Sequence, residues 1–275
     1  MRLRDSLRKF SRNRAGVVCL LALLFFFLLG VFGPILYRVD PLSPSGRPFL
    51  LPSLSTPMGT DNLGRDNFAL FLNGVRVSYE IGFLAVGATL AIGIIVGSVA
   101  GYFGGRVDDL LMRITELFLV LPNLLLAIVL VAIFGPSLWN VILSISVVTW
   151  PRTARLLRAE FLSLREKEFV EAARTMGKSN LSIMFSEILP NALTPVIVNS
   201  SFEIGNAITL EAALSFLGLS DPNNLSWGYM IRNSVLFLRN APWLAIFPGI
   251  GLCIVILSLN VLGDALEEVI SPYSR

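Results

Sequence analysis

Two stretches of this sequence have residue types and spacings that could do chemistry. The first is Ala172-x-x-x-x-Gly177-Lys178-Ser179, which satisfies a relaxed phosphate-loop pattern. A working phosphate loop follows a buried strand and opens a helix whose first N–H groups hold the phosphate. Here the preceding residues, Arg165 to Glu171, are charged and helix-forming, and the polar segment is too short for a nucleotide-binding fold. Nucleotide binding by this segment is therefore not expected, and any ATP must be handled by another chain. The second stretch holds Asn199, Glu203 and Asn206 at i, i+4 and i+7, one polar stripe on an apolar helix. A carboxylate at membrane depth is costly and faces a bundle interior or a watery path. The stripe is either the lining of a solute pathway, able to meet an amino group, or a hydrogen-bond network between helices. Glu211, two turns on, reads as structural and close to the outer interface, and Glu80 opens another apolar run where it can snorkel. The sequence contains no histidine. That removes His-zinc sites, Ser-His and Cys-His nucleophile pairs and the H-E-x-x-H motif.

Around the first stretch lies the longest polar interruption in the C-terminal two-thirds of the chain. Phe169, Ala173 and Met176 fall at i, i+4 and i+7 and predict one apolar stripe, opposite a charged face of Glu171, Arg174 and Lys178. Gly177 is a natural helix stop, since glycine takes the left-handed C′ geometry without strain. Ser179 or Asn180 can cap a second helix running to Ile188. A short amphipathic helix with alanines on it reads as a docking element for another protein, against the plainer reading of a connector on the membrane surface.

The elements that must position these residues are membrane spans. Hydrophobic residues make up 54% of the chain and charged residues 15%, where a soluble domain carries about 25% charge. Cys19 and Cys253 lie inside apolar runs, so no disulfide framework is expected. The net charge of +3 follows topology rather than one basic patch, and no nucleic-acid partner is implied. An all-α polytopic membrane protein with six transmembrane helices is expected. A basic tail over 1–14 precedes the first span, 15–37, whose apolar run is too long for a signal peptide. A proline-rich extracytoplasmic loop over 38–76 ends near a turn in which Asp61, Arg65 and Asp66 can pair locally. The core, 77–264, holds spans beginning at Ser78, Leu110, Leu138, Thr194 and Pro242, with the docking loop at 158–190, and a tail over 265–275 follows. Gly93, Gly97 and Gly101 recur every four residues and predict a close helix crossing. With six spans, every basic residue except Arg38, Arg47, Arg65, Arg76, Arg232 and Arg239 falls on the side of the docking loop. The positive-inside rule puts that loop and both termini in the cytoplasm.

The spacing Glu171-Ala172-Ala173, Gly177, then Leu189-Pro190 resembles the EAA loop of bacterial ABC-importer permeases. Glu187 stands where that family usually has Ile. Further stretches extend the likeness over residues 57–265: Gly59-Thr60-Asp61-x-x-Gly64-Arg65-Asp66, Arg76-Val77-Ser78, Ala100 to Gly105, Arg158-Ala159-Glu160, Glu211 to Gly218 and Ala241-Pro242-Trp243. Together they resemble the second permease subunit of dipeptide/oligopeptide ABC importers, the peptide/nickel permease family. The resemblance implies the type I importer permease fold in a bacterial cytoplasmic (inner) membrane. Phe169, Glu171, Ala172, Ala173, Met176, Gly177 and Pro190 would couple to the ATPase, and Asn199, Glu203 and Asn206 would line the pathway. The implied partners are a paired homologous permease, two cytoplasmic ATPase subunits, an extracytoplasmic substrate-binding protein and a peptide substrate, all within a lipid bilayer. This chain would bind no cofactor or metal and be no enzyme, with ATP and Mg on the ATPases. Thr56-Pro57 stands where the family often has His-Pro-Leu, and the short first external loop leaves a nickel-chelate importer as the alternative. A passive channel or an intramembrane enzyme is the remote one.

Overall fold

The computed structural model describes residues 9–221 and 223–270, which contain helices and no strands. Helix α1 (Arg14–Leu36) is capped by Asn13, whose side chain accepts from the Gly16 N–H. Helix α2 (Asn67–Phe103) is 37 residues long, far beyond the roughly 20 a bilayer requires. It begins eleven residues before the expected start at Ser78, within the stretch expected as loop. The reason is Asp66, whose carboxylate caps the helix by accepting from the Phe68 and Ala69 N–H groups.

Two further expectations about the spans need correction. The third span is not one straight helix from Leu110 to Phe134. It is α3 (Gly105–Val120) and α4 (Asn123–Phe134), bent by 91° at the break. Pro122 forces this: it has no N–H, and its ring drives Leu121 to an extended ψ of 136°. The fifth span does not start near Thr194 after a separate helix. Helix α7 runs unbroken from Asn180 to Phe216, through a π-helical turn at Ile183–Ile188. There the Leu189 N–H bonds back five residues to the Met184 carbonyl, a widening that accommodates Pro190.

Helix α5 (Leu138–Leu164) precedes the short helix α6 (Glu168–Thr175). Helices α8 (Trp227–Ser234) and α9 (Trp243–Ile270) complete the described chain. The tail expected from residue 265 is thus helical to Ile270, and its remainder lies outside the described residues, as do Arg2, Arg4 and Arg8 of the basic tail.

Four described helices are long and apolar enough to cross a membrane, and the bent pair makes five. Helix α5 falls outside that set because Asn140, Ser144, Ser146, Thr149 and its arginines dilute the apolar run. It can be polar because it is wrapped by neighbours. Its principal partner is α2, where the three glycines sit. A Cβ at Gly93 would lie 2.6 Å from the Thr153 Cβ, one at Gly97 2.5 Å from the Ala154 carbonyl oxygen, and one at Gly101 2.5 Å from the Phe161 Cβ. That approach lets the Thr89 and Thr149 hydroxyls meet at 2.7 Å and the Ser146 hydroxyl donate to the Ala85 carbonyl.

The helix ends form two faces. At one, Asn13 donates to Glu268 across the ends of α1 and α9, and Arg165 reaches the Gly101 carbonyl beside the docking loop. At the other, the 37–66 segment packs on the far loop, with Phe49 on Phe237 and Gly59 against Trp243.

Candidate coupling site and pathway residues

Helix α6 has only eight residues, too few to be stable alone, and its ends are built accordingly. At its C-terminus the Gly177 N–H donates to the Arg174 carbonyl and the Lys178 N–H to the Ala173 carbonyl. This is a Schellman closure, and it needs the φ of +76° that Gly177 adopts. The Ser179 side chain then accepts from the Ser182 N–H and starts α7. The Gly177-Lys178-Ser179 triplet is therefore a helix stop followed by a cap, and no strand precedes it.

The stripe expected from Phe169, Ala173 and Met176 does not share one buried face. Ala173 turns inward with Val170, while Phe169 stays 38% and Met176 70% exposed. The inward pair enters a cluster with Leu157 and Phe161 of α5, Tyr102 of α2, and Ile183, Met184 and Ile188 of α7. Glu171, Ala172 and Arg174 point to the outside, and Gly177 and Pro190 are exposed as well. The outer face therefore joins a carboxylate, a small side chain and two flanking apolar groups.

Polar contacts reinforce the attachment. Lys178 pairs with Glu187 across the loop at 2.5 Å, so the departure from the usual Ile has a local partner. The Tyr102 hydroxyl donates to the Asn180 side-chain oxygen at 2.9 Å. Arg158 on α5 grips Asp108 on α3 with two hydrogen bonds. None of these three pairs was singled out from the sequence, because partners 9, 78 and 50 residues apart share no periodicity.

The residues of the polar stripe share one face of α7 but differ in exposure. Glu203 is 3% exposed, Asn199 half-buried and Asn206 exposed. Glu203 Oε2 has no hydrogen-bond partner, and the polar groups acting on this carboxylate are Arg152 of α5 and Asn199. Glu211 is fully buried near the end of α7 and structural: it accepts from the Ser215 hydroxyl at 2.5 Å, which in turn accepts from Ser226, the cap of α8. In the 37–66 segment Asp61 and Arg65 form a buried ion pair at 2.6 Å. Asp66 does not join them; it caps α2 and accepts from the Tyr37 hydroxyl at 2.8 Å. Burial and the Asp66 carboxylate push the Tyr37 phenol up to about 12, which keeps it a donor.

Residues 93–275 match the model of the binding-protein-dependent transport system inner membrane component. The chain belongs to that family. Residues 2–52 also match the N-terminal transmembrane domain of oligopeptide transport permease C. Across the family, a dipeptide transport system permease of Alkalihalophilus pseudofirmus is 39% identical over 98% of this chain and 89% of its own length. An oligopeptide transport system permease of Bacillus subtilis is 34% identical over 99% and 90%. A dipeptide transport system permease of Haemophilus influenzae is 35% identical over 96% and 92%. The fold is shared with chains of solved ABC transporters. A chain of the MetNI methionine ABC transporter in an inward-facing conformation superposes with a TM-score of 0.60 at 21% identity, over 74% of this chain and 97% of that one. A chain of an amino acid ABC transporter superposes at 0.55 and 18% identity, over 71% and 91%. As a member of this permease family the chain is a multi-pass membrane transport subunit rather than an enzyme.

Proposed function

We propose that this chain is one of two permease subunits of an ATP-driven importer for di- or oligopeptides. It forms the pathway with a paired permease and takes its movement from two ATPase subunits on the side of the docking loop. The observation that carries this reading is the two-faced helix α6. Its inner face is built into the ends of α2, α5 and α7, and its outer face is free for a second protein. On this reading ATP-driven closure of the ATPase pair pushes α6 as a lever, and the spans rock between outward and inward access. Both described ends and the docking loop are cytoplasmic, as the distribution of basic residues requires. A binding protein delivers peptide to the opposite side, where the 37–66 segment and the 217–243 loop meet. The peptide assignment is drawn from the relatives named above.

The test is peptide uptake into proteoliposomes containing the full assembly, with ATPase stimulation by loaded binding protein measured alongside. Gly177→Val places a β-branched residue at φ +76°, costing about 1–3 kcal/mol of local strain. Glu171→Lys reverses the charge of the outer face. Each variant is expected to insert normally and to lose ATP-driven uptake. Uptake and stimulation equal to the parent in both would reduce α6 to a connector, and flux without ATP would indicate a channel.

A further inference from the structure

Helix α3 has little of its own to hold it in place. Of its sixteen residues only Asp108 and Thr115 are buried, and the Thr115 hydroxyl turns back to the Leu111 carbonyl of the same helix. Both of its ends are breaks. Before it, Gly104 and Gly105 take positive φ, +66° and +54°, where a side chain would be strained. After it comes the 91° bend into α4, the one such bent pair among the described helices. A change of angle at that bend costs little, because Pro122 has no N–H to give to a helical hydrogen bond. A rod with a break at each end takes its direction from the side chains that grip it.

Side chains grip α3 against α5 at two levels. Near the bend, Phe118 meets Trp150 edge-on at 5.6 Å. In the first turn Asp108 accepts from two nitrogens of Arg158, one hydrogen bond to each carboxylate oxygen. That fork-on-carboxylate pairing fixes orientation as well as distance. The two side chains are only 12% and 33% exposed, so water competes for them less than at an open surface. The charge of Asp109 acts on the same guanidinium.

Arg158 is itself well anchored. Its main chain lies against α2, where a Cβ on Gly101 would come within 2.9 Å of the Arg158 carbonyl oxygen. Its neighbours on α5, Leu157 and Phe161, belong to the cluster that holds α6 through Val170 and Ala173. Arg158 therefore stands where the docking assembly ends and α3 begins.

We propose that Asp108 and Arg158 are positioning residues that make α3 follow the docking helix, as a joint that stays closed through the transport cycle. The proposal rests on the coupling role of α6 given above. When the ATPases move α6, the shared cluster carries the end of α5 with it, and the Arg158 fork carries α3. The movement then reaches the Pro122 bend, where a span can change shape. Without the fork, α3 swings on the Gly104-Gly105 turn and the movement is lost.

The experiment uses the reconstituted assembly of permeases, ATPases and binding protein, with bound ATPase, phosphate release and accumulated peptide measured together. Asp108→Asn and Arg158→Gln should each retain the ATPases and their stimulation by loaded binding protein, while peptide imported per ATP falls severalfold. Asp108→Cys with Arg158→Cys, made with Cys19 and Cys253 replaced by serine, should show the same loss. Bridging that pair with a short bismaleimide should restore most of the parent ratio, which a merely stabilising contact would not require. A second pair keeps the joint itself intact and reads the proposal even if those variants fail to assemble. Asp109→Cys and Ala159→Cys are exposed neighbours of the fork, and bridging them should leave uptake per ATP unchanged, because α3 and α5 move together. An unchanged ratio in both single variants, no recovery on bridging the first pair, or a block on bridging the second would each overturn the joint. None of these results touches the coupling reading of α6, whereas a parent assembly without ATP-driven uptake would refute both.

Discussion

Two glutamates on one helix show how surroundings divide residues of the same type. Glu211 is enclosed, yet serine hydroxyls from α7 and the start of α8 reach it, which suits a structural joint. Glu203 is nearly as enclosed, and each carboxylate leaves its Oε2 without a partner, but Glu203 alone lies near an exposed arginine, Arg152 of the neighbouring helix. A buried carboxylate oxygen left without a hydrogen bond carries a desolvation cost of about 1–3 kcal/mol. Such a cost persists where the group has a second state in which it is satisfied. If that state is contact with a peptide's amino terminus, Glu203→Gln should lower uptake of free-amine peptides about tenfold. It should leave N-acetylated peptides and ATPase binding unchanged. Equal loss for both peptide classes would place Glu203 in helix packing instead. Asn199 and Asn206 belong to the proposed lining with it, though Asn206 faces outward in the single chain, where only the paired permease could bring it into a pathway.

Among the elements, the α2–α5 pair is the backbone of the bundle, and its close approach depends on three glycines. Gly97→Leu has nowhere to go, since even a Cβ would meet the Ala154 carbonyl at 2.5 Å. It should cost about 1–3 kcal/mol and lower the yield of assembled complex on gel filtration. Gly87→Leu on the same helix is the control, because nothing lies within 4 Å of a Cβ there. Equal yields from the two would mean that the crossing does not hold the assembly together. This packing was legible in the sequence, because small residues at helical period have one main physical use. The Schellman end at Gly177 was legible for a similar reason: few residues other than glycine close a helix with positive φ. The bend at Leu121-Pro122 and the π turn before Leu189-Pro190 were not. Both lie in runs whose hydropathy continues unchanged, and hydropathy does not register backbone hydrogen bonds. The start of α2 was misplaced because polar Asn67 and Asn73 suggest a loop, whereas the cap at Asp66 and the buried neighbours of Asn67 make a helix.

At the scale of the whole molecule, the docking helix is fastened to the spans and offered to a partner by different side chains, so attachment and transmission can be separated. Val170 is completely buried in the cluster that joins α6 to α2, α5 and α7. Phe169, the adjacent residue, projects on the other side. The sequence pattern grouped Phe169 with Ala173 and left Val170 out, because a helix of eight residues contains too few turns to tell a buried stripe from one turned toward a second protein. Val170→Ala removes two methyl-equivalents from the cluster, about 1.5 kcal/mol at about 0.8 kcal/mol each. That loosens the lever without altering the outer face. The ATPases should still co-purify and hydrolyse ATP, while peptide uptake per ATP falls severalfold. Phe169→Ala should act in the opposite way: less ATPase co-purifies, and the complexes that do form transport with the parent ratio of uptake to hydrolysis. Both quantities come from one reconstitution in which bound ATPase, phosphate release and accumulated peptide are measured together. If Val170→Ala loses ATPase binding while Phe169→Ala keeps it, the inner and outer faces have been assigned the wrong way round, and α6 must engage its partner by turning over rather than by moving as part of the bundle.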